Sequence, residues 1–262
     1  DFKIPQTRDR LYIVAKRGDL KNFKWPKKSK VKPNLKKFLI KKPSKDKNLT
    51  ELKSKILGVW KTFLSKMPKN AYLPNPLWSM EFGATYPYEN QTPYATKTKE
   101  LRDYKGSFGE KLNLSNKNDI MELLPKYARN KTDKFPLWKI NMIRKSRLFY
   151  KNNKSWVDKF LPRIIDLKYE AYQKLEWNCQ GEKFNLTKKI ISFRGSGVRI
   201  KRNDNSPTLV SASVSQVPYL PWKNRYLSHE ECLNIQGFKG LQSYPSGHEA
   251  FYMAIGNAVN VG

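Results

Sequence analysis

Ser192-Phe193-Arg194-Gly195-Ser196-Gly197-Val198-Arg199-Ile200-Lys201 is where regular patterning is plainest in this chain of 262 residues. Two glycines enclose one serine at a turn, and apolar and basic residues alternate after it, the period of a half-buried strand. Pro207-Thr208-Leu209-Val210, reached across Asn203-Asp204-Asn205, reads as the start of a partner strand. Downstream, Ser228-His229-Glu230-Glu231 has the serine and the glutamate three later that close a helix start, and the helix it opens runs through Leu233 and Ile235 to Gly237. Ser246-Gly247-His248-Glu249 repeats the device before Phe251 to Ile255.

Upstream the signals change character. Leu11-Tyr12-Ile13-Val14-Ala15 follows a polar loop that Pro5 punctuates, and reads as a short buried strand. Between Lys16 and Lys69 nineteen Lys or Arg face three acids. Within that basic window Leu52, Ile56, Leu57, Trp60 and Leu64 recur at helical spacing and predict an amphipathic helix from Leu49 to Met67. From Tyr72 to about Tyr104, Pro74, Pro76, Pro87 and Pro93 with Trp78, Phe82, Tyr86 and Tyr88 predict an irregular region pinned by aromatic rings. A helical pair is expected over residues 117–129 and 137–162. In its second member Asn141, Arg144, Lys145 and Arg147 form either a solvated face or a face turned to an acidic polymer. No internal repeat is visible.

The formal net charge is +30, from 52 Lys+Arg against 22 Asp+Glu. Part of that excess is the background of a Lys- and Asn-rich composition, and the rest implies an acidic polymer as partner, nucleic acid before an anionic membrane. No apolar run approaches the roughly 18 residues of a spanning helix, and no secretory signal is present. Cys179 and Cys232 stand outside any metal-spaced cluster, which favours a reducing cytoplasm over a disulfide framework or a zinc site. His229 and His248 each precede a Glu at a helix start, and His229-Glu230 lacks the second His of a zinc-binding helix, so no metal site is expected. Beginning at Asp1 and stopping at Gly262 inside an apolar run, the sequence reads as a piece of a longer protein or one chain of a split one.

Four short islands then fall into one order. They are Gln6-Thr7-Arg8-Asp9-Arg10, the Arg194 to Arg199 loop with Thr208 after it, Arg225-Tyr226-Leu227-Ser228 through Gln236-Gly237-Phe238, and Ile255-Gly256-Asn257-Ala258-Val259. Together they resemble the closing portion of a DNA cytosine-5 methyltransferase. Glu230 departs from the pattern, which has an arginine there, and the change touches surface charge more than chemistry.

Addition of a thiolate to cytosine requires donors that take up negative charge at the ring, and an arginine near its O2 meets that need. The resemblance implies that Arg10 contacts the flipped base, Arg8 orders the pocket and Gln6 fixes the loop. It places Arg194, Ser196, Arg199 and Thr208 against DNA, with the Ser196 loop inserted in the duplex and Thr208 on a phosphate. It puts Asn257 and Ala258 beside S-adenosylmethionine, at what would be a helix N-terminus, in a pocket lying mostly outside this segment. The glycine-rich cofactor loop, the Pro-Cys nucleophile loop and a Glu-Asn-Val segment are absent, so neither cysteine is a nucleophile and the segment alone should be inactive.

The expected architecture is α+β: residues 1–15 as one strand left from a Rossmann-like catalytic sheet, 16–245 as a large irregular target-recognition domain with a small twisted sheet and several helices, and 246–262 as a closing helix returning to the catalytic side. The implied function is sequence-specific DNA recognition and completion of the active site of a prokaryotic, cytoplasmic cytosine-5 methyltransferase, within a restriction-modification system. Its partners would be double-stranded DNA and an N-terminal catalytic portion on the same or a separate chain. The rival reading is a non-catalytic DNA-binding specificity subunit, in which paired arginines aimed at an extrahelical base would have no use.

Overall fold

The computed structural model describes residues 5–6, 13–18, 20–25, 27, 34–43, 48–68, 71–210 and 216–258. Arg8 and Arg10 lie outside the described residues, as do Leu11 and Tyr12 of the expected strand. The remainder of that run, Ile13 to Ala15, belongs to no strand, and Ile13 is 83% exposed. A β-branched run becomes a strand only where a neighbouring edge accepts its hydrogen bonds and covers one face, and among the described residues it has neither.

The chain is α+β and divides into two compact units, Thr50–Leu186 with Phe193–Ile200, and Asp1–Leu49 with Thr187–Ser192 and Lys201–Gly262. These boundaries cut across the expected recognition segment of residues 16–245.

The unit built on Thr50–Leu186 opens with α1 (Glu51–Ser65), where the Thr50 hydroxyl accepts from the Lys53 amide at 3.4 Å. Ile56, Trp60, Phe63 and Leu64 form its buried stripe, whereas Leu52 is exposed. Phe63 packs against Trp60, Trp156 and Phe160, with ring centroids 5.0–5.6 Å apart. Then come β1 (Leu77–Trp78), α2 (Thr98–Leu101), α3 (Lys117–Glu122), the long α4 (Leu137–Val157), α5 (Leu161–Ile165) and β2 (Lys174–Asn178). Between the short elements, order comes from a core of Tyr86, Leu101, Leu112, Ile120, Leu124 and Ile143.

One buried carboxylate organises this unit. Glu81 is fully buried and accepts from the hydroxyls of Tyr86 and Tyr127 and from Arg147 Nε at 2.8 Å. Burial first, and the Glu81 charge second, hold both tyrosine hydroxyls well above their ordinary range. Arg147 also lies over the rings of Tyr86 and Tyr88, 4.3 and 4.5 Å from their centroids. It is therefore a core residue and no part of a DNA-facing stripe, while Arg144 pairs with Glu89 at 3.0 Å. Lys145 remains exposed on α4.

β1 and β2 pair antiparallel, Leu77 with Leu175 and Trp78 with Lys174. β3 (Ile190–Arg194) and β4 (Gly197–Lys201) follow, joined by the two-residue turn Gly195-Ser196, and β4 is the other neighbour of β2. The turn lies where the glycines predicted it. Pro207 to Val210, however, forms no strand.

In the other unit β3 pairs with β5 (Tyr219–Leu220), and β5 with β6 (Arg225–Tyr226), all antiparallel. α6 (His229–Ile235) and α7 (His248–Asn257) pack with Leu35, Ile190, Leu220, Leu227 and Cys232 into one core. The Ser228 box forms as expected: its hydroxyl takes the Glu231 amide at 3.2 Å and Glu231 takes the Ser228 amide at 2.9 Å. The second box does not form. Gly247 is the cap of α7, so Ser246 stands one residue too early and the third helical position is Ala250, which has no acceptor.

Candidate nucleic-acid interface

The tip of the β3–β4 hairpin, residues 193–200, is held down on β2 by close backbone approach and by charge. Gly197 has a φ of 148°, and a Cβ there would meet the Cβ and carbonyl oxygen of Lys174 at 3.0 Å. Only glycine suits both conditions. Its neighbour Gly195 meets nothing within 4 Å and leaves the turn open on its outer side.

Glu176, in the middle of β2, is the acceptor on which the tip converges. Ser196 Oγ donates to one of its oxygens at 2.7 Å and Arg199 Nε to the other at 2.5 Å. The Glu176 side chain is 9% exposed and that of Arg199 32%. Arg199 Nη1 and Nη2 make no hydrogen bond among the described residues. Arg194, half-buried at the other side of the turn, forms no ion pair among them either. Partial burial lowers its affinity for the proton, the nearby Arg199 charge adds to the effect, and Glu176 opposes it. Of the two guanidinium groups only that of Arg199 is paired with the carboxylate, and a net positive charge remains at the tip.

The other predicted positions are placed as follows. Gln6 makes a parallel bridge to Ser206, whose amide donates to the Pro5 carbonyl at 2.6 Å. Both polar atoms of the Gln6 carboxamide are buried without a hydrogen bond, a condition that costs about 1–3 kcal/mol per group unless a partner is supplied. Thr208 follows two residues after Ser206, outside any helix or strand and half-buried. The structure therefore brings Ser196 and Arg199 onto one carboxylate, and sets Gln6 beside the segment leading to Thr208.

Asn257 and Ala258 require a correction. They end α7: Asn257 is its last residue, exposed, and Ala258 is the extended C-terminal cap. A helix ends in unpaired carbonyls and carries partial negative charge there. The expected attraction of a cofactor carboxylate to a helix N-terminus is absent at these residues.

Neither cysteine is placed for nucleophilic work. Both are buried, and desolvation with the Glu231 charge holds the Cys232 thiol far above its ordinary range. The histidines open α6 and α7, as the sequence suggests: His229 stacks on Phe251 with centroids 3.9 Å apart, and its Nε2 lies 3.2 Å from His248 Nδ1. Among the described residues no group of three or more His, Cys, Asp or Glu could hold a metal ion, and no helix is long and apolar enough to cross a membrane.

Sequence reasoning missed Glu176. Its signal was the alternation of Leu175, Glu176 and Trp177, a strand pattern too short to stand out. It also missed that Arg225 and Glu231 form a buried, two-pronged ion pair, with both contacts at 2.7 Å.

The model of the C-5 cytosine-specific DNA methylases matches this chain over residues 1–262. The chain belongs to that family. A curated relative of this chain is the Type II methyltransferase M.AluI of Cellulosimicrobium cellulans, 31% identical over an alignment of 133 positions that takes in 48% of the chain. The chain spans about a quarter of that relative, 25% of its length. No solved structure matches the fold significantly. Members of the methylase family use S-adenosylmethionine as methyl donor and DNA as substrate.

Proposed function

We propose that this chain supplies the DNA-recognition part and completes the active site of a cytosine-5 methyltransferase that uses S-adenosylmethionine, within a restriction-modification system. Beyond family membership, the observation that carries this reading is the hairpin tip. Two arginines, a serine and two glycines stand at one exposed turn with a net positive charge, on a chain whose formal charge is +30. Phosphate contact and close approach to a duplex both need that composition.

In this reading Gln6, Arg8 and Arg10 belong to the loop that meets an extrahelical cytosine. The unsatisfied Gln6 carboxamide supports it, since a buried amide with free donor and acceptor is suited to fixing a neighbouring polar group. Arg194, Ser196, Arg199 and Thr208 would lie against the duplex. Asn257 and Ala258 keep a place near the methyl donor only through an exposed amide side chain and the backbone at the helix exit, because the charge at that helix end does not favour an anion. The family's cofactor supplies the methyl group. The residues described here would position DNA and hold charge at the base.

A separate N-terminal portion would supply the thiolate. The buried Cys232, its thiol held above the ordinary range by desolvation, supports that division of labour. Transfer of tritium from labelled S-adenosylmethionine to duplex DNA tests it. Transfer is expected when the chain is combined with an N-terminal half carrying a Pro-Cys loop, and none from the chain alone. DNA binding without transfer in any combination would favour a specificity subunit that only binds.

A further inference from the structure

We infer that Glu176 is a positioning residue for DNA reading, which grips Arg199 through Nε so that its two terminal nitrogens are presented as a fixed fork to a guanine edge. This rests on the recognition role proposed above and adds to it a named orienting group and a preferred base.

An arginine side chain has four rotatable bonds, and an unpaired one spends its charge on the nearest phosphate. Two conditions turn it into a base reader: the guanidinium plane must be fixed from behind, and Nη1 and Nη2 must stay free in front. Arg199 meets both. Its Nε donates to Glu176 at 2.5 Å, and its outer nitrogens have no partner among the described residues. The restraint is itself rigid, because the Glu176 side chain is 9% exposed, its other oxygen is held by Ser196 at 2.7 Å, and β2 is fixed by pairing with β1. Gly197 fixes the backbone between the two donors by its contact with Lys174. Guanine is the base whose major-groove edge offers two adjacent acceptors to such a fork.

Arg194 differs in the feature that matters. It stands on the same turn with no carboxylate in contact, so its orientation is set by whatever anion arrives. A phosphate asks for charge and not for a fixed plane. The two arginines therefore divide the work, Arg199 specifying and Arg194 anchoring.

The full-length protein carrying this chain is tested by selection from a library of randomised double-stranded DNA, together with the salt dependence of binding to a single duplex. Wild type is expected to enrich guanine at a defined position. Glu176→Gln should lower that preference by on the order of tenfold, while the freed guanidinium turns to a phosphate and steepens the log–log salt slope by about 0.9. Glu176→Asp should restore part of the preference, and Arg199→Lys should lose it without the steeper slope. Arg194→Gln should leave the preference intact and make the slope shallower by about 0.9. Thermal midpoints of all variants are read in parallel, because a merely structural Glu176 would lower binding to every sequence in step with stability. Guanine preference that survives Glu176→Gln overturns this assignment and leaves the recognition role standing. A wild-type protein that binds duplex DNA with no base preference overturns both.

Discussion

Two arginine–glutamate pairs, one in each compact unit, show how the same chemistry serves opposite ends. Arg225 and Glu231 are 4% and 0% exposed, and every strong site on the carboxylate is taken: both Arg225 terminal nitrogens, the Ser228 amide and the Ile40 amide at 2.8 Å. Arg225 also reaches the Ile40 carbonyl at 3.2 Å, so the pair ties β6, α6 and the segment after Leu35–Phe38 together. Nothing is left over. Arg199 and Glu176 meet by one nitrogen, and the two terminal nitrogens make no hydrogen bond among the described residues. A closed pair is architecture; an open one has capacity for a ligand. Burial of charge is costly unless every partner is present, and the closed pair is fully enclosed, while in the open one the Arg199 side chain stays 32% exposed.

Breaking the closed pair should have the largest effect. Glu231→Ala leaves a buried guanidinium and two amides unmatched, and should cost about 3–5 kcal/mol of unfolding free energy, read from urea denaturation. A small loss would mean that water reaches Arg225 and that the two pairs differ less than their geometry says. Next in size, Gly197→Ala forces a Cβ against Lys174 at a φ unfavourable to any side chain, with an expected cost of about 1–3 kcal/mol. It should also blur base preference, since the tip can no longer seat Arg199 on Glu176. Ser228→Ala removes one bond of the capping box and leaves Glu231 in place, for about 1 kcal/mol. Glu176→Gln should cost least in stability, about 1 kcal/mol or below, while changing DNA selectivity most. If that order reversed, with Glu176→Gln unfolding the protein and Glu231→Ala tolerated, the contrast between closed and open pairs would fall.

What the sequence made legible was what neighbours in sequence decide. The Gly195-Ser196 turn and the Ser228 box are local chemistry within four residues, and both stand where they were read. The Ser246 box has the same letters and failed, because the start of α7 is set by packing of Phe251 on His229 and places Gly247 at the cap. β5 and β6 are two residues each, too short for any periodicity to announce them, and β5 is joined to the sheet by pairing with β3, 28 residues earlier at Ile191. Pro207 to Val210 has strand-like composition and is assigned to no strand among the described residues. At the site, Arg194, Ser196 and Arg199 could be named from the family pattern, but Glu176 could not. It is 20 residues from Ser196 and 23 from Arg199, and only the fold brings them together.

The compact unit that holds both Glu176 and Arg199 is discontinuous, since Thr187–Ser192 between them belongs to the other unit. Anyone exchanging specificity among relatives would naturally cut at the long continuous block and transplant residues 50–186. Such a chimaera would move the glutamate and leave its arginine behind, pairing each with a stranger's counterpart. On the recognition role proposed above, the block to move runs to residue 200, and its last eight residues are the ones a cut by length would forget.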